Sequence, residues 1–430
     1  MREIYISKIH IKESRNILDL TIPLSNEERK HLIITGKNGS GKTSLLNDLN
    51  IFLQQVDNGN YGAYENQMQE LKNQKKSIKD LTTQKEKRKE FFKESPQEED
   101  QINANIEAQQ NYLNDLKKWF NMFGSVEVHF KNYKKVNFAT LSGDYLIAYF
   151  DAKRHTNLIV PSSITKVNLK TKYSIAEKVN KDFIQYIVNM KADRSFARDD
   201  GEMEIVRQID DWFTRFEKRL QILFQSPKLI LKFNRKSYNF DIIEGNKLPF
   251  TFNTLADGYS AIISIATELL LRMEGHGARA YDLQGVVLID EIETHLHVDL
   301  QKKVLPFLID FFPKIQFIIT THSPFVLSSI PNAVICDLEE EIVTEDLSAY
   351  SYDALIESYF NTDKYSEQVK NNILRFEKLA STDKLKPDEK DELKHLRNYF
   401  VHAPKYLSNE LMVKLQQIEL QNLPKKDSKK

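Results

Sequence analysis

The chain has 430 residues, too long for one ordinary domain, and its 61 basic residues are matched by 61 acidic ones, so overall charge argues neither for nor against a nucleic-acid partner. One cysteine, Cys336, excludes a disulfide framework and fits a reducing cytoplasm. The opening MREIYISKIHI has no apolar signal core and no apolar run approaches the ~20 residues of a membrane span, so the expectation is a cytoplasmic protein without a membrane partner.

Residues 3–11 alternate as a strand, with Ile4, Ile6, Ile9 and Ile11 on one face, and 17–22 form a second strand closed by Pro23. Arg15, in the turn between them, is open to a nucleotide contact or to plain solvent exposure. His31–Thr35 reads as a buried strand and 44–53 as a helix. Between them Gly36, Lys37, Asn38, Gly39, Ser40, Gly41, Lys42 and Thr43 fit G-x-x-x-x-G-K-[ST], the phosphate-binding loop. The glycines permit backbone turns that aim successive N–H groups at one anion. The helix start that follows, which includes Ser44, adds its unsatisfied N–H groups and positive dipole end. Lys42 would reach the β- and γ-phosphates of ATP, and Thr43 would hold Mg²⁺.

Residues 61–120 change character: 11 basic and 11 acidic residues, one proline, and a narrow apolar seam through Met68, Leu71, Ile78 and Leu81, then Ile102, Ile106, Leu113, Leu116 and Phe120. This predicts two antiparallel helices turning near Ser95–Pro96, arms of about 25 residues reaching ~38 Å. Their balanced charge suits a structural or partner-docking role better than a grip on DNA. Strands are expected at 126–130 and 145–150. The lysines scattered from 131 to 172 are open to phosphate contact or to simple solvation. Helices follow within 173–224, the second with a core stripe through Ile205, Ile209, Trp212, Phe213, Phe216 and Leu220. A strand hairpin spans 229–243.

Leu255-Ala256-Asp257-Gly258-Tyr259 then leads into an apolar helix over 261–271. Residues 285–289 form an unbroken apolar strand ending in Asp290 and Glu291, the Walker B pattern of a fully buried parallel strand. Its carboxylates emerge where ligands bind in such sheets. Asp290 would complement Mg²⁺, and Glu291 would orient or deprotonate the attacking water. Glu293 to His297 is expected to run on into a helix; Glu293, His295 and His297 do not have a metal-ligand spacing. A further buried strand, 316–320, ends at Thr321-His322-Ser323-Pro324, where His322 could hydrogen-bond a γ-phosphate and sense it.

Phosphate loop, ADGY-helix, VVLIDE and THSP, in this order, resemble the ABC-type ATPase heads of the SMC, RecF and overcoming-lysogenisation-defect families over about residues 1–345. The resemblance implies an α/β P-loop head (1–60 and 121–345), a short antiparallel coiled-coil insertion (61–120) and a C-terminal helical domain (346–430). It also implies two heads sandwiching two ATPs. Glu291 and His322 would then be catalytic, while Asp257, Gly258 and Tyr259 would face the partner head's nucleotide. The signature departs from the usual L-S-G-G: Ala256 lacks the serine hydroxyl, and Asp257 brings negative charge toward a phosphate. No convincing glutamine loop is found; 149–154 occupies its place.

The short hairpin, the DEIETHLH run and the small helical tail look most like the ATPase subunit of Septu-type antiphage systems, which also occurs in some retron operons. That implies an HNH-type nuclease partner and, in a retron, a reverse transcriptase with its nucleic acid. The competing readings are a RecF- or SMC-like DNA-repair ATPase and a slow-turnover nucleotide-sensing scaffold. The tail reads as four short helices near 351–360, 364–380, 387–401 and 408–420, ending in a basic run over 425–430. Arg397 to His402 fits the R-N-x-x-x-H motif of HEPN ribonucleases, although a packing or docking helix is the favoured reading.

Overall fold

In the computed structural model the described residues are 3–350, apart from 90, 94, 155–157 and 277–281, followed by 355, 367–382, 385–401, 413, 416 and 417. The chain divides into two compact units, Met1–Tyr350 and Ser351–Lys430.

In chain order the first unit runs β1 (Tyr5–Ser14), β2 (Ile17–Pro23), β3 (His31–Thr35), α1 (Lys42–Asp57), α2 (Tyr61–Lys87), α3 (Pro96–Phe120), β4 (Val126–Lys131), α4 (Tyr133–Ser142) and β5 (Tyr145–Phe150). It continues with α5 (Phe183–Asp199), α6 (Met203–Leu223), β6 (Leu229–Asn234), β7 (Asn239–Glu244), α7 (Asp257–Glu274), β8 (Gln284–Ile289), α8 (Val298–Phe311), β9 (Ile315–Thr320), α9 (Pro324–Leu327), β10 (Ala333–Asp337) and β11 (Ile342–Glu345).

The main sheet has the order β11-β10-β3-β9-β8-β5, parallel throughout except at the β11 edge. Its inner strands are mostly apolar, as suits a sheet buried on both faces. All five residues of β3 and all six of β9 are buried. The register pairs Ile34 with Thr320 and Ile289 with Ile319, so β3, β9 and β8 end level with one another. That common edge collects the phosphate loop, Thr321-His322 and Asp290-Glu291. An antiparallel sheet, β2-β1-β4, packs beside the main one. Buried Gln316 on β9 joins the two: its Oε1 accepts the Ile6 N–H at 2.8 Å, and its Nε2 donates to the Ile6 carbonyl at 2.9 Å and the Lys30 carbonyl at 2.7 Å.

Helices α2 and α3 contact each other. Their base is built into the core: Tyr61, Tyr64, Phe120 and Phe123 pack around Phe52 of α1. Farther out both helices are largely exposed. The α6 stripe is buried at Ile209, Trp212, Phe213, Phe216 and Leu220. Trp212 Nε1 also donates to Glu274 on α7 at 2.7 Å.

The structure differs from the sequence reading at three places. Residues 293–297 do not continue as helix; α8 starts at Val298, because His295 takes a left-handed backbone with φ of 65°. Helix α4 and the strand pair β10–β11 were not foreseen. In the second unit, helices α10 (Glu367–Ala380) and α11 (Pro387–Val401) contact each other through Ile373, Phe376 and Phe400. Arg397 lies on α11. Most of 351–360 and of 408–420, where helices are expected, and His402 and the basic end at 425–430 lie outside the described residues.

Candidate functional site

The loop between β3 and α1 has the backbone that a phosphate cradle requires. Gly36, Gly39 and Gly41 sit at φ of 135°, 89° and 100°, closed to ordinary side chains. A Cβ on Gly36 would lie 2.7 Å from Ser40 Oγ, a buried hydroxyl with no hydrogen-bond partner. Lys42 folds back over the loop, its ammonium donating to the carbonyls of Gly36 at 2.9 Å and Lys37 at 3.0 Å. Burial holds its pKa below the ordinary lysine value, opposed by Glu291, Glu293 and Asp290 nearby. Lys37 is tied outward: its ammonium pairs with Glu339 at 2.5 Å, and its N–H donates to the same carboxylate at 3.3 Å. Asn38 and Gly39 are exposed, and Ser44 is half-buried at the start of α1. The Arg15 side chain runs beside Gly41: its Cδ lies 3.8 Å from where a Cβ on that glycine would stand.

Two strands away, Asp290 closes the site. Thr43 Oγ1 donates to its Oδ2 at 3.0 Å, and Thr320 Oγ1 donates to its Oδ1 at 2.6 Å. Thr320 Oγ1 in turn accepts the Glu291 N–H at 2.7 Å. Glu291 is a non-glycine residue at φ of 42°, a conformation that costs about 1–3 kcal/mol and persists only where the surroundings enforce it. Here they do. The Ile292 N–H bonds the Thr320 carbonyl at 3.1 Å, and Arg154 donates to the carbonyls of Asp290 at 2.6 Å and Glu291 at 2.8 Å. Thr294 Oγ1 donates to the Glu291 carboxylate at 3.2 Å.

His322 stands at the end of β9. Its N–H donates to Glu293 Oε1 at 2.5 Å, while Thr321 Oγ1 donates to Glu293 Oε2 at 2.8 Å. Burial, and next the positive charge of Lys42, lower the His322 pKa, so its imidazole is neutral at neutral pH. Sequence reasoning missed Arg154, Thr320 and Glu293 as positioning groups. Arg154 acts on backbone carbonyls 136 and 137 positions away, which no local pattern reports. Thr320 had a signal, a hydroxyl closing the apolar run Phe317–Ile319.

The signature region is built differently. Ala256 occupies the N-cap of α7 and supplies no side-chain acceptor, which leaves the first N–H groups uncapped. Gly258 is buried against the Glu293–His297 turn, where an added Cβ would come within 3.0 Å of the His295 carbonyl. The Tyr259 ring is stacked on Phe224 of its own head, with centroids 4.3 Å apart and planes 6° from parallel. Among the described residues no cluster of metal-ligating side chains is formed, His295 and His297 included. No described helix is long and apolar enough to cross a membrane.

A parallel sheet with the glycine-rich loop after β3, the Asp290–Glu291 pair at the end of β8 and an intervening β9 that leads to His322 is an α/β fold with the P-loop arrangement. Residues 166–328 match the family described as AAA domain, putative AbiEii toxin, Type IV TA system, a segment that contains Asp290, Glu291 and His322 but not the phosphate loop. The chain is similar to the Septu protein PtuA of Bacillus mycoides, with 33% identity over 153 residues covering 34% of this chain and 21% of that protein. It is similar to the retron Ec83 probable ATPase of Escherichia coli, with 35% identity over 92 residues covering 21% and 17% respectively. The retron Vc95 probable ATPase of Vibrio cholerae is 46% identical over 56 residues, 13% of this chain and 11% of that one. The matched stretches thus span about a fifth or less of these relatives' lengths. Among solved structures, an Smc head bound to the C-winged helix domain of ScpA aligns over 80% of this chain and 99% of that one, at 12% identity and a TM-score of 0.35.

Proposed function

We propose that the chain binds ATP with Mg²⁺, hydrolyses it between two heads, and uses that cycle to control a partner nuclease of the HNH type in bacterial antiphage defence of the Septu or retron kind. The observation that carries the enzymatic part is the Thr43–Asp290–Thr320 hydrogen-bonded row. It joins the phosphate loop to the end of the Walker B strand and places the Glu291 backbone at its far end.

The residues fit the chemistry. Gly36 to Ser44 would cradle the phosphates through backbone N–H groups, and Lys42 would exchange its two loop carbonyls for β- and γ-phosphate oxygens. Thr43 and Asp290 are oxygen donors of the kind Mg²⁺ takes; the ion, when bound, neutralises charge on those phosphate oxygens. Glu291 would accept a proton from the attacking water. A neutral His322 would donate a hydrogen bond to the γ-phosphate and accept none of its charge. The uncapped start of α7, with Asp257 and Gly258, would face the nucleotide of the partner head. Tyr259 would act indirectly, by holding the signature helix against Phe224.

The defence assignment is supported by the names of the similar proteins, and a reverse transcriptase and its nucleic acid become further partners if the setting is a retron. The test is phosphate release and DNA cleavage by the chain co-purified with the HNH protein encoded beside it. ATP should be hydrolysed, and its presence should change cleavage. A nuclease that does not co-purify, or that cuts identically with and without nucleotide, would refute the regulatory reading.

A further inference from the structure

Outside the ATP site, a cavity of about 270 Å³ opens beside the end of β5. Four cations line it, Lys153, Arg154, Lys178 and Lys181, against two carboxylates, Asp151 and Glu268. Glu268 is already committed: its Oε1 accepts from Arg272 Nε at 2.8 Å, and its Oε2 accepts the N–H groups of Val179 and Asn180 at 2.8 Å each. Three of its roughly four acceptor positions are thus taken, and its charge is already paired with Arg272. The cavity is therefore electropositive, and Phe150 supplies an apolar wall.

Its four cations are not equivalent. Lys178 is anchored, donating to the Tyr149 carbonyl at 3.1 Å and lying 5.0 Å over the Phe150 ring. Lys153 and Lys181 are exposed. Arg154 is only 6% exposed, with its guanidinium nitrogens on the carbonyls of Asp151, Asp290 and Glu291 and its Nε buried without a partner. One residue thus belongs both to the wall of the cavity and to the support of the Walker B turn.

We propose that this cavity is a second anion site, taking a phosphate-bearing ligand no larger than a nucleotide or a single phosphodiester unit of a nucleic acid, and that its occupancy is relayed through Arg154 to Asp290 and Glu291. Lysine ammoniums are point-charge partners for phosphate oxygens, and several around one cavity favour a group carrying more than one negative charge. The existence of the site does not depend on ATP turnover by this chain; the relay does.

Isothermal titration of the full chain, with the ATP site saturated by a non-hydrolysable ATP analogue and Mg²⁺, tests the site with two probes: inorganic pyrophosphate, and a short 5′-phosphorylated single-stranded DNA. At least one should bind, and roughly tenfold or more weakly to Lys153→Ala/Lys181→Ala, which removes two charge-assisted contacts. Pyrophosphate binding alone identifies a small ligand; DNA binding that pyrophosphate displaces identifies a nucleic-acid backbone. The milder Lys153→Gln/Lys181→Gln variant guards against a folding artefact. If neither probe binds, or both bind the double variants as they bind the wild type, the site is wrong. Binding that leaves ATP turnover of the wild-type chain unchanged would overturn the relay.

Discussion

Thr320→Val isolates the hydroxyl that orders the Walker B turn. The side chain is fully buried and valine has its shape, so no cavity forms. Two hydrogen bonds disappear: the donation to Asp290 at 2.6 Å and the acceptance of the Glu291 N–H at 2.7 Å. Losing a bond to a charged acceptor costs about 1.5–3 kcal/mol, and leaving the part-buried Glu291 N–H without its partner costs less than the roughly 1–3 kcal/mol of a fully buried one. Thr43 still donates to Asp290, so the two losses do not simply add, and a total of about 2–4 kcal/mol is expected. The functional consequence is larger than the structural one. A carboxylate that loses its orienting partner binds its metal roughly 10- to 100-fold more weakly. Phosphate release titrated with Mg²⁺ should show half-saturation displaced upward by that factor in Thr320→Val, with a lowered thermal midpoint in the absence of nucleotide. Thr320→Ser retains the hydroxyl and should titrate as the wild type does. If valine and serine variants respond to Mg²⁺ identically, the hydroxyl does not position Asp290.

Lys42→Ala should abolish ATP binding, read by nucleotide titration, while far-ultraviolet circular dichroism stays as in the wild type; full-strength binding would remove the phosphate loop from the proposal. Glu291→Gln should lower hydrolysis by roughly 10²-fold or more and leave ATP binding in place, the range expected for loss of a general base. Light scattering with Mg²⁺ and ATP should then show head association, and lost hydrolysis without association would reject the trans-acting signature. His31 sets a pH dependence: burial, and next Arg29, lower its pKa from 6.5 to about 3, and its Nδ1 accepts the Phe317 N–H at 3.1 Å. The unfolded chain therefore binds the extra proton between those values, so this contribution to stability is complete above pH 6.5 and declines as pH falls, by at most about 1.4 kcal/mol per pH unit. A thermal midpoint that drops equally from pH 6.5 to 4.5 in the wild type and in His31→Asn would refute this assignment.

The α/β class was legible because its strongest strands carry a simple signal. β3, β8 and β9 are buried on both faces and read as unbroken apolar runs ending in chemistry-bearing residues. Helix α4 was not legible: Tyr133, Phe138 and Leu141 are exposed, which erases the apolar periodicity that would have announced it. β10 is not legible because Ala333 to Cys336 is a very short apolar run; its identity as a strand comes from pairing with β3, with Ala333 opposite His31. The site residues on short motifs could be named from sequence. The roles of their supports could not, since Arg154 meets the carbonyls of Asp290 and Glu291, and Thr320 meets the Asp290 carboxylate and the Glu291 N–H, only once the sheet order is known. The end of the Walker B run misled for a local reason: Glu293 to Leu296 has helical composition, but the left-handed His295 delays the helix.

That delayed helix has a consequence for how the parts of the head move together. The turn from Glu291 to His295 begins and ends with left-handed non-glycine residues, at φ of 42° and 65°. Such a turn has few alternative shapes, so it transmits displacement where a flexible loop would absorb it. On one side Glu293 holds the His322 N–H and the Thr321 hydroxyl. On the other, the His295 carbonyl lies so near Gly258 that an added Cβ would come within 3.0 Å of it, and the side chains of Leu296 and Leu300 close the same gap. A shift of the β9 end therefore has to break charge-assisted bonds to Glu293 or carry the turn with it. If the turn moves toward α7, the signature helix has no space in which to stay still, since its closest approach is through a residue that has no side chain to compress. Glycine at 258 is in this sense a steric requirement of the fold itself, and it leaves the His322 end of β9 and the start of α7 in contact through one turn.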